Sequence, residues 1–261
     1  MQILVINPNT TASMTRMIGN AAASVAARGT KIVAVNPDSG PPSIEGYYDE
    51  AFSVPGLIDE IGKAPDADAY IIACFDDTGL DAARCITNAP VVGIGEAAFH
   101  MASLIAGQFS VVTTLSRSIP AIESNLVRYG LRSRCAGVRA SDVAVLELED
   151  SGSIARQRIS NEISAAIRDD RAEAIVLGCA GMADLADSLC QEHGVPVIDG
   201  VTCAVKLCEA LGALGLRTSK AGGYAMPRTK VYSGHFARFS PAGTNSPDRD
   251  KEPPNTGSED T

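Results

Sequence analysis

The chain has 261 residues, of which 45% are hydrophobic and 20% charged, and its formal net charge at pH 7 is −9. This is the composition of a globular protein, and the negative charge without a basic stripe excludes nucleic acid as an expected partner. No apolar run reaches the roughly 18 residues of a membrane span. The N-terminus also lacks the pattern of a secretory signal. We therefore expect a cytoplasmic protein with no membrane contact.

Short apolar runs alternate with helical patterns along the chain, which is typical of an α/β fold with mostly parallel sheets flanked by helices. Strands are predicted at 3–6, 31–35, 69–73, 91–94, 109–113, 138–145, 175–177 and 197–198. Helices are predicted at 11–27, 54–61, from about 99, and at 119–129, 153–168, 184–191 and 204–214. Residues 240–261 are rich in Pro, Gly, Ser and charged side chains, and we expect a disordered tail there.

Two segments of the chain resemble each other in register. Residues 69–74 (AYIIAC) align without a gap on residues 174–179 (AIVLGC), at a spacing of 179 − 74 = 105 residues. The similarity continues through the following helix, and after one inserted residue 90–92 (PVV) aligns on 196–198 (PVI). This period is far too long for a solenoid, so it indicates an internal duplication.

The duplication predicts two pseudo-symmetric α/β lobes. Lobe one would comprise 1–98 with about 208–239, and lobe two 99–207, with the last helix crossing back to lobe one. Ligands of open α/β sheets bind beyond the carboxyl ends of the strands. The active site is therefore expected in the cleft between the lobes.

Cys74 and Cys179 each follow an apolar strand at the equivalent point of the two halves. A single buried cysteine is usually only a small hydrophobic residue. Here the strand-to-helix junction would place each sulfur beside unpaired helix amides, which favour a thiolate. Asp76 and Asp77 oppose this at Cys74, because nearby carboxylates raise a thiol pKa, unless they cap the helix and point away.

Polar and small residues surround the expected cleft. Asn9, in the segment Asn-Pro-Asn-Thr at 7–10, and Thr113 with Thr114 follow equivalent strands and offer amide and hydroxyl groups. Turn chemistry explains the first segment equally well. Ala180 and Gly181 permit close approach of a ligand to the backbone, or simply tight packing.

Other cofactor chemistry has little support. The segment GIGEAA at 93–98 resembles a dinucleotide-binding turn, but the next strand ends without an acidic residue for a ribose. The three histidines show no metal-ligand spacing, and the seven cysteines include no Cys-x-x-Cys pair. We expect no cofactor, no metal and reduced thiols.

Together, the segments 7–10, 40–48, 74–80 (CFDDTGL) and 178–182 (GCAGM) resemble those of hydantoin racemases, in the aspartate/glutamate racemase superfamily, to which allantoin racemases are close. The resemblance covers about residues 1–235. It implies cofactor-independent racemisation of 5-substituted hydantoins, in a homo-oligomer, with Cys74 and Cys179 exchanging a proton at C5. Substrate contacts would then come from Asn9, Ser43, Ile44, Phe75, Asp76, Thr113, Thr114, Ala180 and Gly181.

Three alternatives stay open from the sequence. An allantoin racemase would need more polar contacts to the substituent. A maleate-isomerase-like enzyme would share the two cysteines but would need cations to hold a dicarboxylate, and no cationic cluster is evident. A non-catalytic two-lobed binding protein for small molecules has no need of paired thiols. A decarboxylase of the arylmalonate type, with one cysteine in lobe two, is disfavoured by Cys74.

Overall fold

A computed structural model of the chain describes residues 1–150 and 153–241. The first half forms a parallel sheet with strand order β2-β1-β3-β4. Its strands are β1 (Gln2–Ile6), β2 (Lys31–Val35), β3 (Ala69–Ile72) and β4 (Val91–Gly93). Helices α1 (Ala12–Val25), α2 (Tyr47–Lys63) and α3 (Leu80–Ile86) connect them, and α4 (Ile94–Ile105) leads out of the sheet.

The second half repeats this arrangement. Its parallel sheet has the order β6-β5-β7-β8 and comprises β5 (Phe109–Thr113), β6 (Cys135–Ala140), β7 (Ala174–Gly178) and β8 (Val197–Ile198). The helices are α5 (Ile119–Arg128), α6 (Ala155–Ala165, continued by a π-helix at Ala166–Asp170), α7 (Ala186–His193) and α8 (Gly200–Ala213). The predicted fold class is confirmed, and the two sheets have the same topology, as a duplication requires.

The two sheets share one hydrophobic core. Ile3, Val5 and Ile71 on one sheet and Val111 and Val176 on the other belong to a single buried cluster, together with apolar faces of α1, α4, α5 and α8. The opposite face of each sheet has its own smaller cluster. The central strands of each sheet are covered on both faces. Their sequences are therefore continuous apolar runs rather than alternating apolar and polar residues.

Two predicted elements differ in extent. The strand predicted over 138–145 is β6, which begins earlier and ends at Ala140, where Ser141 N–H bonds to the Thr113 carbonyl and Asp142 adopts a left-handed φ of 52°. Helix α2 begins at Tyr47, well before the predicted 54, and contains Pro55. Apolar periodicity alone did not reveal its polar first turn.

Residues Met1–Ala225, which contain both sheets, form one compact unit, and a second unit begins at Met226. The described part of the second unit contains a short 3-10 helix at Gly234–Phe239. The tail predicted over 240–261 lies outside the described residues from 242 onward. The lobe boundaries given above remain predictions. In the described ranges no helix is both long and apolar enough to cross a bilayer.

Candidate active site

Both thiols, Cys74 and Cys179, line one pocket between the carboxyl ends of the two sheets. It encloses about 410 Å³ of free space, its open mouth included. The pocket is lined by Asn7, Pro8, Asn9, Met14, Ile44, Ala73, Cys74, Phe75, Asp76, Thr114, Ser118, Val145, Gly178, Cys179 and Ala180. The duplication therefore converges on a single cavity with one sulfur from each half.

The lining follows the pseudo-symmetry beyond the sulfurs. Asn9 and Thr114 follow β1 and β5, and Ile44 and Val145 lie in the segments after β2 and β6. The last two segments are joined directly, because Val145 N–H donates to Glu45 Oε1 over 3.1 Å. Corresponding segments of both halves thus contribute to the lining of the pocket.

Cys179 caps a short helical segment, the 3-10 helix Ala180–Leu185. The Gly181 backbone N–H favours the thiolate form of the sulfur, while Met182 N–H donates to the Cys179 carbonyl over 3.1 Å. Burial acts against ionisation and dominates, raising the pKa of the Cys179 thiol to about 11. The junction predicted from the sequence is present here, but its amides do not outweigh desolvation.

Cys74 lies in a different local structure. A turn at residues 75–79 separates it from α3, so the helix N-terminus is not adjacent to the sulfur. The thiol instead lies 3.4 Å from Thr78 Oγ1. Burial raises the pKa of the Cys74 thiol strongly and the Asp76 charge raises it further, whereas the Thr78 hydroxyl and the Asp76 backbone N–H lower it.

Asp76 and Asp77 have separate surroundings. Asp76 lines the pocket, and burial, followed by the charge of Glu50, raises its pKa to about 7. Asp77 is only 4% exposed and points away from the cavity, toward the N-terminus of α4. The expectation that a carboxylate caps a helix and turns away thus holds for Asp77, although the helix is not its own.

Most residues predicted around the thiols meet at the pocket. Asn9, Ile44, Phe75, Asp76, Thr114 and Ala180 line it. Ser43 and Gly181 are not in its wall, although the Gly181 amide lowers the pKa of the Cys179 thiol. Thr113 is not in the wall either, because its side chain is buried and its hydroxyl donates to the Gly178 carbonyl on the neighbouring strand over 3.0 Å. Thr113 therefore fastens β5 to β7.

The sequence did not single out several wall residues, among them Met14, Ser118 and Val145. Met14 lies in the first turn of α1 and Ser118 directly before α5, and neither has a pattern that marks a ligand contact. Val145 lies at the predicted end of a strand, whereas the structure places it at the start of a 3-10 helix, Val145–Glu149. Across residues 1–150 and 153–241, no three His, Cys, Asp or Glu side chains group as metal ligands.

Comparison with protein families matches residues 3–208 to Asp/Glu/Hydantoin racemase. The chain belongs to this racemase family. A hydantoin racemase of Rhizobium meliloti is 52% identical over 237 residues, which is 90% of this chain and 98% of that protein. A second hydantoin racemase, from a Pseudomonas species, is 48% identical and covers 92% of this chain and 97% of its own length.

A solved structure of an allantoin racemase from Klebsiella pneumoniae has the same fold as this racemase, with a TM-score of 0.90 and 48% identity. It covers 93% of this chain and 100% of that one. The predictions of the family and of an isomerase of the racemase type are thereby confirmed. Membership in this enzyme family also disfavours the non-catalytic binding protein considered above.

Proposed function

We propose that the protein racemises 5-substituted hydantoins by moving a proton between the two faces of C5, with Cys74 and Cys179 as the two bases. The observation that carries this proposal is the placement of one thiol from each half on the same pocket. Racemisation needs a base on one face of the carbon and an acid on the other, and two thiols in different protonation states supply both.

The reaction balances with these two groups alone. The thiolate of one cysteine takes the C5 proton, which leaves an enolate whose charge lies on the adjacent carbonyl oxygen. The thiol of the other cysteine then donates its proton to the opposite face of C5 and becomes the thiolate. The two roles exchange when the other enantiomer binds.

The raised thiol pKa values fit this chemistry. A C5 proton is weakly acidic, and a thiolate whose conjugate thiol has a pKa of about 11 is a stronger base than an ordinary cysteine thiolate. The cost is a small thiolate fraction at neutral pH. The N–H groups of Asp76 and Gly181, two residues after each cysteine, lower the pKa of the two thiols and are our candidate donors to the enolate oxygen.

The residues that line the pocket fit a hydantoin ring with a variable substituent at C5. Asn9 Oδ1 accepts from Asn7 Nδ2 and from the Thr11 N–H. Among the described residues, its Nδ2 donates only to the weak acceptor Met14 Sδ, at 3.3 Å. That amide is our candidate donor to a ring carbonyl. Ile44, Phe75 and Val145 offer apolar contacts for an alkyl substituent at C5.

Allantoin is a second candidate substrate, since it is a hydantoin with a ureido group at C5. Two observations favour it: the 48% identity to the Klebsiella allantoin racemase, and Asp76, Thr114 and Ser118 in the same wall, which can bond to a ureido group. Relative kcat/KM for allantoin and for an alkylhydantoin decides between the two. We also propose that the enzyme is a homo-oligomer and needs no added cofactor.

The deciding experiment follows the optical rotation of an enantiopure 5-alkylhydantoin, without added cofactor or metal, with wild type, Cys74→Ser and Cys179→Ser. We expect decay to zero rotation with wild type and a loss of at least about 10³-fold in each variant, because serine is far too weak an acid to replace either thiol. Persisting racemisation in either variant would contradict the two-thiol proposal. No decay with hydantoins or allantoin would remove the substrate assignment.

A further inference from the structure

The turn that carries Cys74 contains a buried carboxylate that the proposed reaction does not use. Asp77 is three residues after Cys74, is 4% exposed, and adopts a left-handed φ of 52°. Its N–H donates to the Cys74 carbonyl over 3.0 Å. The position of the carboxylate is therefore linked through a closed backbone turn to the position of the sulfur.

The Asp77 carboxylate caps a helix from outside. Its Oδ1 accepts the Gly95 N–H over 3.0 Å, and its Oδ2 accepts the Glu96 N–H over 2.8 Å. These are first-turn amides of α4, whose own N-cap, Gly93, has no side chain to satisfy them. A Cβ at Gly93 would lie 2.1 Å from Asp77 Oδ1 and one at Gly95 2.9 Å from Oδ2, so the glycines make room for the carboxylate.

Helix α5 and the residue after it, Tyr129, hold the same turn from the second half of the chain. The Tyr129 hydroxyl donates to Asp77 Oδ2 over 2.7 Å, and Asn125 Nδ2 donates to the Asp76 carbonyl over 2.8 Å. Four hydrogen bonds thus fix residues 74–77 against α4, α5 and Tyr129. A buried network of this kind restricts its members to one arrangement.

Within the part of the chain that the structure describes, the Cys179 turn has no such anchor. The residue that corresponds to Asp77 at the 105-residue spacing is Met182, which is fully buried in the apolar cluster behind the second sheet. The helix that corresponds to α4 is α8, and Asp199 caps it from within, accepting the Thr202 N–H over 2.9 Å. The external cap is therefore specific to the Cys74 side.

We propose that Asp77 is a positioning residue of the racemase, which fixes the Cys74 sulfur relative to C5 while leaving Cys179 unaffected. This inference rests on the proposed two-thiol function. A displacement of about 1 Å at a reacting group can cost about 100-fold in rate. Loss of the Asp77 carboxylate should then impair proton transfer on the face of C5 that Cys74 serves, and not on the other face.

Exchange of the substrate C5 proton for deuterium in D₂O distinguishes proton transfer on the two faces of C5. When Cys74 is misplaced, Cys179 still takes the C5 proton from its own enantiomer, exchanges it for a solvent deuteron on sulfur, and returns the deuteron to the same face. For Asp77→Asn we expect racemisation of both enantiomers to fall equally, by about tenfold or more, because the mirror-image products have equal free energy. Deuterium should enter one enantiomer without inversion, the same one that Cys74→Ser still exchanges.

Two variants serve as controls. Asp199→Asn weakens the corresponding cap of α8 and should lower exchange of both enantiomers alike, if at all. Asn125→Ala loosens the same turn at a partly exposed site and should give the one-sided pattern even where Asp77→Asn does not fold. Equal loss of exchange in both enantiomers for Asp77→Asn and Asn125→Ala would overturn the positioning role. If the two Cys→Ser variants fail to show opposite one-sided exchange, the two-thiol function itself fails.

Discussion

The Cys74 turn and the Cys179 turn begin from strands that align in register, yet different forces hold them. Beyond Cys179 the chain enters a 3-10 helix whose Met182 packs in an apolar cluster. Beyond Cys74 it enters a turn fixed by a buried carboxylate, two helix amides and a tyrosine hydroxyl. Duplication preserved the place of the sulfurs while the means of holding them diverged.

This difference makes the two sides respond differently to change. Apolar packing has no titration, whereas burial raises the pKa of Asp77 to about 7 and the bonds from Tyr129 and the α4 amides lower it. Since the folded pKa lies above the unfolded value of about 3.9, the stabilising contribution of Asp77 is full below that value. It is lost as the pH rises through about 7. The stability of the Cys74 turn should therefore depend on pH near 7, whereas the packing of Met182 behind Cys179 should not.

The largest effect is expected from filling the space beside the Cys74 turn. A Cβ at Gly95 would lie 2.3 Å from the Phe75 carbonyl oxygen, a backbone atom that cannot move without moving the turn. Gly95→Ala should cost about 3 kcal/mol in the free energy of unfolding and reduce racemisation by about 100-fold. Thermal or urea unfolding and polarimetry measure the two losses.

Gly62→Ala is the matched control, because no heavy atom lies within 4 Å of a Cβ placed there in α2. It should stabilise the protein by about 0.5–1 kcal/mol and leave racemisation unchanged. The position equivalent to Gly95 in the second half is Val201, which carries a full buried side chain. A tolerated Gly95→Ala would show that the two turns are equally adaptable.

The two thiols should also differ in reactivity. Burial is the largest cause that raises both pKa values, the Asp76 charge adds to it at both, and the pKa of Cys74 is raised further than that of Cys179. Only the thiolate is alkylated, so iodoacetamide at pH 8 should label Cys179 at least about tenfold faster than Cys74, with both rates rising with pH. Peptide-resolved mass spectrometry measures each site.

Asp76→Asn provides the control for this order. It removes a charge that acts on both sulfurs, and labelling of both should accelerate, more at Cys74. Faster labelling of Cys74 than of Cys179 in the wild type would mean that the amides at Cys74 outweigh its burial. The assignment of Cys179 as the first thiol to ionise would then be reversed.

The sequence predicted the parts of this site that follow from repetition. Strand ends, both thiols and the opposed halves follow from the match of 69–74 to 174–179, because the carboxyl ends of parallel strands meet at one edge of a sheet. Asp77 could not be assigned in this way. Its partners Gly95, Glu96 and Tyr129 are 18 to 52 residues away, and only the packing of α4 and α5 brings them together.

The thiol pKa values likewise depend on burial, which a strand-to-helix junction in the sequence does not determine. The orientation of the Thr113 side chain could not be predicted from the sequence either. Its position at a strand end predicted a ligand contact, and its side chain instead turns to the Gly178 carbonyl of the adjacent strand. Which of two neighbouring threonines faces the cavity is set by strand register, and that requires the sheet.

The smallest predicted effect tests the link between Asp77 and the second half of the chain. Tyr129→Phe removes the hydroxyl that donates to Asp77 Oδ2 over 2.7 Å and lowers the Asp77 pKa. Without it the pKa rises further, so the variant should lose about 2 kcal/mol of stability at pH 8, and less at pH 6, where Asp77 is largely protonated in both proteins. Racemisation at pH 8 should slow several-fold.

Tyr70→Phe is the control, because it removes a neutral hydrogen bond to the Ala64 carbonyl. It should cost about 1 kcal/mol of stability at both pH values and leave racemisation unchanged. A pH-independent loss in Tyr129→Phe would mean that its hydroxyl serves packing rather than the charged state of Asp77.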